Sequence, residues 1–429
     1  MKNIFKKIII AILTVEAKLV LKKYHPRIVA ITGSVGKTST KDALYAVLQK
    51  QFFVRRSLKS FNSEFGVPLT ILDCPTGWTN PFIWIKNIGK GLSLILFKHH
   101  YPEWLILEVG ADRPGDIEKV SKWLPADVVI YTRFGDTPVH VEFFRSVDHL
   151  IKEKSFLMQA LKKDGILILN SDDKNVLALK ERSKNKVFTY GFNEKADIRA
   201  DNINIMYEGD VPVGLMFKLE YAGKSMPVRM KNVLGQHQVY VALSAITAAF
   251  SLEIPPTDVL EALADYMPPS GRMRLIEGLK GSMVIDDTYN ASPTAVLAGL
   301  ETVKNLQVKG KKIAILGDML ELGSYAVNAH KDVGTKVSEA CDYLFVVGPR
   351  SHYTVEAALE GGMSDKNVIE FKSSREAGKY AEGILGAGDV VFIKGSQSMR
   401  MEKAVEEIML HPEDREKLLV RQEKEWQTR

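Results

Sequence analysis

The chain reads as an α/β protein with a mostly parallel sheet, and two observations predict it. Short apolar, β-prone runs alternate with longer stretches whose apolar residues recur at helical spacing, as expected of strands buried on both faces by crossover helices. One junction, Ile28 to Leu48 (IVAITGSVGKTSTKDALYAVL), shows the unit in full. Ile28 to Ile31 is a strand, Gly33-Ser34-Val35-Gly36 a glycine-bearing turn, and Lys37-Thr38 opens a helix with Ala43, Leu44, Val47 and Leu48 on its inner face.

The remaining elements follow the same alternation. Trp104 to Val109, Asp127 to Tyr131, Gly165 to Asn170 and Lys186 to Tyr190 are short buried strands between helical stretches. The apolar, aromatic stretch Asn80 to His100, with Gly89 and Gly91 as breakers, is a surface helix or loop. Leu234 to Leu252 is helical, and Met267-Pro268-Pro269-Ser270-Gly271 is the strongest linker in the chain. Beyond it Met283 to Asp286, Ile313 to Leu316, Tyr343 to Val347 and Val390 to Ile393 are strands again, and Pro293 is placed as a first helical residue. Three segments are therefore expected: a basic helix over 1–25, a central phosphate-loop domain over 26–268, and a smaller Rossmann-like α/β domain over 269–429. The charged tail from Glu413 is expected to be a solvated helix.

A chain of 429 residues, 45% of them hydrophobic, can bury more than one core. Cys74 and Cys341 stand far apart and fit neither a disulfide framework nor a zinc site, so a reducing, cytoplasmic location is expected. The net charge of +6 is carried by residues 1–27, where Lys2, Lys6, Lys7, Lys18, Lys22, Lys23 and Arg27 face one acid, Glu16. The balanced remainder argues against nucleic acid as a partner. Residues 3–22 make an amphipathic helix whose apolar run, Ile8 to Leu13, is too short to span a bilayer. It is expected to pack on the protein itself or a partner, or to lie on an anionic membrane surface.

Chemistry enters at the glycine turn. Two glycines let backbone N–H groups converge where the positive end of the helix dipole also lies, which suits a polyphosphate. Gly33, Ser34, Val35, Gly36, Lys37, Thr38 and Ser39 form the candidate nucleotide-binding loop, with Lys37 reaching the β and γ phosphates of ATP and the Thr38 hydroxyl binding Mg²⁺. Ile31 stands where the full pattern has its first glycine. Glu108 ends a strand at the edge where open parallel sheets bind ligands, and His140 follows the next strand, so both are candidate magnesium ligands.

These residues carry a resemblance to the Mur ligase family, and within it to the MurF branch. The matching motifs run from Thr32 to Glu402: TGSVGKTST from Thr32, NSEFGVPLTIL from Asn62, LEVGADRPGDI from Leu107, LGQHQVYVAL from Leu234, GRMRLIEG from Gly271, IDDTYNASP from Ile285, LGDMLELG from Leu316 and KGSQSMRMEKAV from Lys394. The resemblance implies ATP-dependent amide synthesis through an acyl phosphate, with D-alanyl-D-alanine joined to a muramoyl-peptide acceptor in peptidoglycan synthesis; the protein is expected to be a monomer. It also implies roles for Lys154, matching a lysine carbamylated in related ligases and hence a magnesium ligand, for Arg272 at the nucleotide phosphates, and for Asp287 near the ribose.

Some positions depart from the family pattern. Gln238 and Val241 stand where asparagines are common, and Ser396-Gln397 replaces a frequent Ser-Arg pair. The branch resembles a three-domain plan that begins with a UDP-sugar-binding domain, yet 32 residues precede Gly33, so no such domain is expected here. The UDP-sugar is then held differently or by a partner, or the acceptor is another one, a lipid-linked muropeptide or a folyl-polyglutamate. A nucleotide-binding partner without catalysis is the alternative of another class.

Overall fold

The computed structural model describes residues 2–57, 62–77, 80–111, 113–135, 143–423 and 426, with side chains from Lys7 onward. The chain opens with helix α1 (Lys2–Tyr24), then strand β1 (Arg27–Thr32), α2 (Lys37–Leu48), β2 (Val54–Arg56), α3 (Gly66–Leu72), α4 (Pro81–Leu96) and β3 (Trp104–Glu108). It continues through α5 (Asp116–Ser121), β4 (Ala126–Tyr131), α6 (Val147–Ser155), β5 (Leu161–Asn170), α7 (Lys174–Leu177) and β6 (Lys186–Gly191). Three long strands, β7 (Ile198–Glu208), β8 (Val211–Tyr221) and β9 (Lys224–Lys231), lead into α8 (Gln236–Ser251) and α9 (Pro256–Ala264).

Among the described residues these strands form one nine-stranded sheet in the order β2-β3-β1-β4-β5-β6-β7-β8-β9. It is parallel from β2 to β7, in agreement with the α/β expectation, and antiparallel at β7–β8 and β8–β9. The spacing of 198–231 predicts no element, because its strands pack one face only and carry charged or polar residues between the buried ones.

The second sheet has six strands, with β10 (Arg274–Glu277), β11 (Met283–Asp287), β12 (Lys312–Gly317), β13 (Tyr343–Val347), β14 (Val368–Phe371) and β15 (Val390–Lys394) in the order β10-β11-β15-β12-β13-β14. All its pairs are parallel but β10–β11. Helices α10 (Pro293–Lys304), α11 (Ala326–Ala340), α12 (His352–Glu360), α13 (Ser374–Ile384), α14 (Glu402–Ile408) and α15 (Arg415–Leu418) accompany it. Pro293 is the first residue of α10, and the Ser292 hydroxyl caps it by accepting from Ala295 N.

Apolar residues of α2, α8 and α9 pack on one face of the large sheet in a core that runs on into the second sheet through Met273, Leu275 and Val296. Fully burying a side chain such as Leu44 or Leu48 contributes about 1.5–3 kcal/mol. The opposite face is covered by α1, α3, α4 and α5. Helix α4 runs through both expected breakers: Asn80 caps it, Pro81 opens it, and Gly91 packs so closely on α1 that a Cβ there would fall 2.2 Å from Glu16 Oε2.

Among the described residues the tail is not one solvated helix. After one turn, α15, Leu419 and Arg421 are buried, and Arg421 Nη1 pairs with Glu402 at 2.8 Å. Charge density alone suggests solvation, but here one cation finds a buried carboxylate and two backbone carbonyls, of Thr288 and Tyr289.

Candidate functional site

The candidate phosphate loop is fixed by its neighbour β4. Ser34 N donates to Arg133 O at 2.6 Å, and the Thr132 hydroxyl donates to Val35 O at 2.7 Å. Gly33 is obligatory at that approach, since a Cβ there would lie 1.9 Å from Thr132 Oγ1. Gly36 caps α2 in the left-handed region at φ 89°, which glycine adopts without strain. Lys37 is folded back, with Nζ donating to Gly33 O at 2.9 Å. Ser39 is buried, and its carbonyl accepts from the Tyr266 hydroxyl.

Thr38 and Glu108 meet directly, the Thr38 hydroxyl donating to Glu108 Oε2 at 2.9 Å. Asn62 Nδ2 donates to the other carboxylate oxygen at 3.3 Å. Asn62 opens the NSEFG stretch; its type and place say nothing of this role until β3 brings Glu108 beside it. His140 lies outside the described residues.

Lys154, on the last turn of α6, is buried and reaches the loop, where Nζ donates to Ser34 Oγ at 2.6 Å. Burial holds this amine well below the ordinary lysine range, and the nearby Lys37 charge pushes the same way, against Asp173. Asp173 is otherwise occupied: its carboxylate accepts from the backbone N–H groups of Phe134 and Gly135 and caps α7.

The second sheet supplies the opposite wall. Arg272 lies against the Tyr289 ring, its guanidinium carbon 4.1 Å from the centroid, and its buried Nε has no hydrogen-bond partner. Asp287, at the end of β11, pairs with Lys394 Nζ at 2.5 Å, both groups buried. Burial lowers the Lys394 amine below its usual range despite that partner. Sequence reasoning did not single out Lys394, although its place at the end of β15 beside β11 follows once the strands are ordered.

Two cavities meet at this wall. A cleft of about 640 Å³ is lined by Lys37, Thr38, Asn62, Phe65, Glu108 and Arg113 from the first half, and by Arg272, Asn290, Ser292, Glu321 and Gln397 from the second. A narrower pocket continues past Val35, Gly36 and Arg272 to Asn170, Tyr190, His237, Tyr240, Asp287 and Thr294. Burial brings His237 down to about 4, so its imidazole is neutral at neutral pH. Gln238 donates through Nε2 to Arg272 O at 2.9 Å, while its buried Oε1 has no partner. The arrangement suits a nucleoside polyphosphate: a narrow pocket beside a neutral imidazole, a glycine loop with a lysine, and an unpartnered guanidinium donor. The hydroxyl and carboxylate of Thr38 and Glu108 are hard oxygen donors of the kind magnesium takes.

Comparisons with known proteins agree with this geometry. Residues 31–249 match the family model of the Mur ligase middle domain, and residues 271–397 that of the Mur ligase glutamate ligase domain. The chain is 28% identical over 397 residues to the UDP-N-acetylmuramoyl-tripeptide--D-alanyl-D-alanine ligase of Bacillus subtilis (strain 168), covering 92% of this chain and 79% of the relative. It is 30% identical over 390 residues to the protein of the same name from Mycobacterium tuberculosis, covering 86% and 70%. Among solved structures, MurF ligase from Thermotoga maritima in complex with ADP superposes with a TM-score of 0.76 at 25% identity, covering 93% of this chain and 83% of that one. Mycobacterium tuberculosis folylpolyglutamate synthase shares the fold at a TM-score of 0.65 and 14% identity, covering 92% and 94%. With both family models matched across the two halves that wall the cleft, the chain belongs to the Mur ligase family and is an ATP-dependent peptide ligase.

Proposed function

We propose that this ligase adds D-alanyl-D-alanine to a muramoyl-peptide acceptor in peptidoglycan synthesis, through an acyl phosphate. The observation that carries the reading is the single cleft in which the phosphate loop and Glu108 face Asn290, Ser292 and Gln397. The printed names of the relatives supply the substrates. ATP supplies the phosphoryl group, and magnesium the charge that neutralises it.

Within the chain, Lys37 leaves the loop carbonyls to neutralise phosphate charge, Thr38 and Glu108 hold magnesium, and Arg272 turns its free Nε–H to the phosphates. Lys154 serves as a carbamate: burial holds its amine well below the ordinary lysine range and so eases loss of the proton, the unprotonated amine is the form that takes up carbon dioxide, and the resulting carboxylate is an oxygen ligand. His140 is assigned with them from its motif alone. Asp287 and the narrow pocket around the neutral His237 take the nucleoside.

A division at 268/269 is supported by the stretch 265–273, which carries the chain from α9 to β10. One chain walls both sides of the cleft, which supports a monomer. The free thiols Cys74 and Cys341 and the need for ATP support a cytoplasmic location. Mass spectrometry of the products tests the acceptor. Soluble UDP-muramoyl-tripeptide and a lipid-linked muropeptide are offered side by side with D-alanyl-D-alanine and other amines. A dipeptide adduct on either muropeptide is the expected result, and glutamate added to a folate overturns the reading.

A further inference from the structure

Helices α1 and α4 pack side by side and turn apolar stripes away from the protein. On α1 the outward residues are Ile8, Ile12, Val15 and Leu19, at alternating spacings of four and three that keep them on one line. On α4, Ile85, Leu92 and Leu96 recur at spacings of seven and four, which also keeps them on one side of the helix, with Ile85 66% and Leu96 71% exposed. Both stripes lie on the solvent side of the packed helix pair. On α1, Glu16 packs on Gly91 and stands between the buried Leu13 and Val20 and the outward Ile12 and Leu19. On α4, Gly91 stands between the buried Leu94 and the outward Leu92. Each stripe therefore flanks the helix–helix crease on its solvent side. The pair is pinned at the far end, where Lys23 Nζ donates to the Leu94 and Ile95 carbonyls at 2.9 Å each and the Tyr24 hydroxyl donates to Leu94 O at 3.0 Å.

The rim of this face is basic. Lys7, Lys18 and Lys22 are exposed along α1, and Lys86 and Lys90 along α4, with Lys90 paired to Asp73. Glu16 is the one acid in the sequence of the two helices, and it is buried. No helix of the described residues is long and apolar enough to cross a membrane. A protein surface that met this face would need acids to match the lysines; a plane of anionic headgroups above acyl chains matches both its charge and its apolar stripes.

We propose that the α1–α4 face is a docking surface for an anionic phospholipid bilayer, with the apolar stripes entering the headgroup boundary and the lysines on the lipid phosphates. The surface acts independently of the ligation reaction, so its test needs no turnover. The full chain is sedimented with phosphatidylcholine vesicles, with and without phosphatidylglycerol, at low and high salt. Partition onto the anionic vesicles alone, weakened by salt, is expected. The double substitution Val15→Asp with Ile85→Asp, both at exposed positions, lowers it by about tenfold or more without changing the thermal melt. A second variant, Lys18→Glu with Lys22→Glu, lowers it through charge. Equal sedimentation of wild type and both variants, or none with anionic vesicles, overturns the proposal. So does a wild-type dimer in light scattering that Val15→Asp with Ile85→Asp dissolves, which would make a second copy the occupant.

Discussion

The two faces of the nine-stranded sheet are covered by helices of opposite character. On the face of α2 and α8, two buried polar pairs join the helices to their surroundings: the Thr40 hydroxyl meets Ser244 Oγ at 2.9 Å, and Lys41 Nζ donates to Ser57 O at 2.6 Å. No large apolar residue of either helix is exposed there, because α10 and the second sheet complete that core. On the face of α1 and α4, large apolar residues point outward while an acid, Glu16, is buried with neither oxygen hydrogen-bonded. The chain closes one face around its chemistry and leaves the other with an outer apolar surface. Catalysis and surface attachment should accordingly respond to different substitutions.

The largest separation is expected from Lys37→Ala. Removing the loop cation should lower phosphate release by about 10³-fold while vesicle sedimentation stays unchanged. Turnover that survives in the folded variant removes the phosphate loop from the reaction. Lys154→Ala should slow ligation by about 10²-fold, with partial recovery on adding short carboxylates that replace the carbamate oxygens. An unaltered rate would make Lys154 a structural contact to Ser34. Arg421→Ala tests how far the second half depends on its tail. The substitution leaves Glu402 with Arg400 alone and the Thr288 and Tyr289 carbonyls short of a donor, so unfolding should cost about 3 kcal/mol less. A solvated tail would show no change in the denaturation midpoint.

The smallest effect belongs to the outer face. Burial raises Glu16 from 4.5 to about 7, so between those values the folded chain holds a proton that the unfolded chain has released. Stability should fall as pH rises through that window and stay lower above it. Glu16→Gln should remove this dependence and raise the melting temperature at pH near 8 more than at pH near 5. Equal shifts at both would show that the carboxylate is not the source.

The placement of the candidate nucleotide residues was legible in the sequence because they sit at fixed spacing. Gly33, Gly36, Lys37 and Thr38 follow one strand, Glu108 ends another, and each lands where the alternation of strands and helices puts it. What pairs across the fold was not legible. Asn62 reaches Glu108 and Arg421 reaches Thr288 through contacts far apart in sequence, and neither residue type announces its partner. The antiparallel strands β7 to β9 escaped notice since half-exposed strands carry the polar residues of loops. On α1, periodicity identified a helix, but an apolar surface wider than one stripe could not say which part is buried; packing against Gly91 decided it.

One contact joins the two regions. Phe65, which lines the cleft, lies against Trp84 of α4 with ring centroids 5.6 Å apart, and the next residue, Ile85, already belongs to the outward stripe. The lip of the reaction chamber and the edge of the apolar face are therefore separated by a single pair of rings. If a bilayer is seated on that face, an acceptor tethered to lipid reaches the cleft by searching a plane, whereas a freely dissolved acceptor must search a volume.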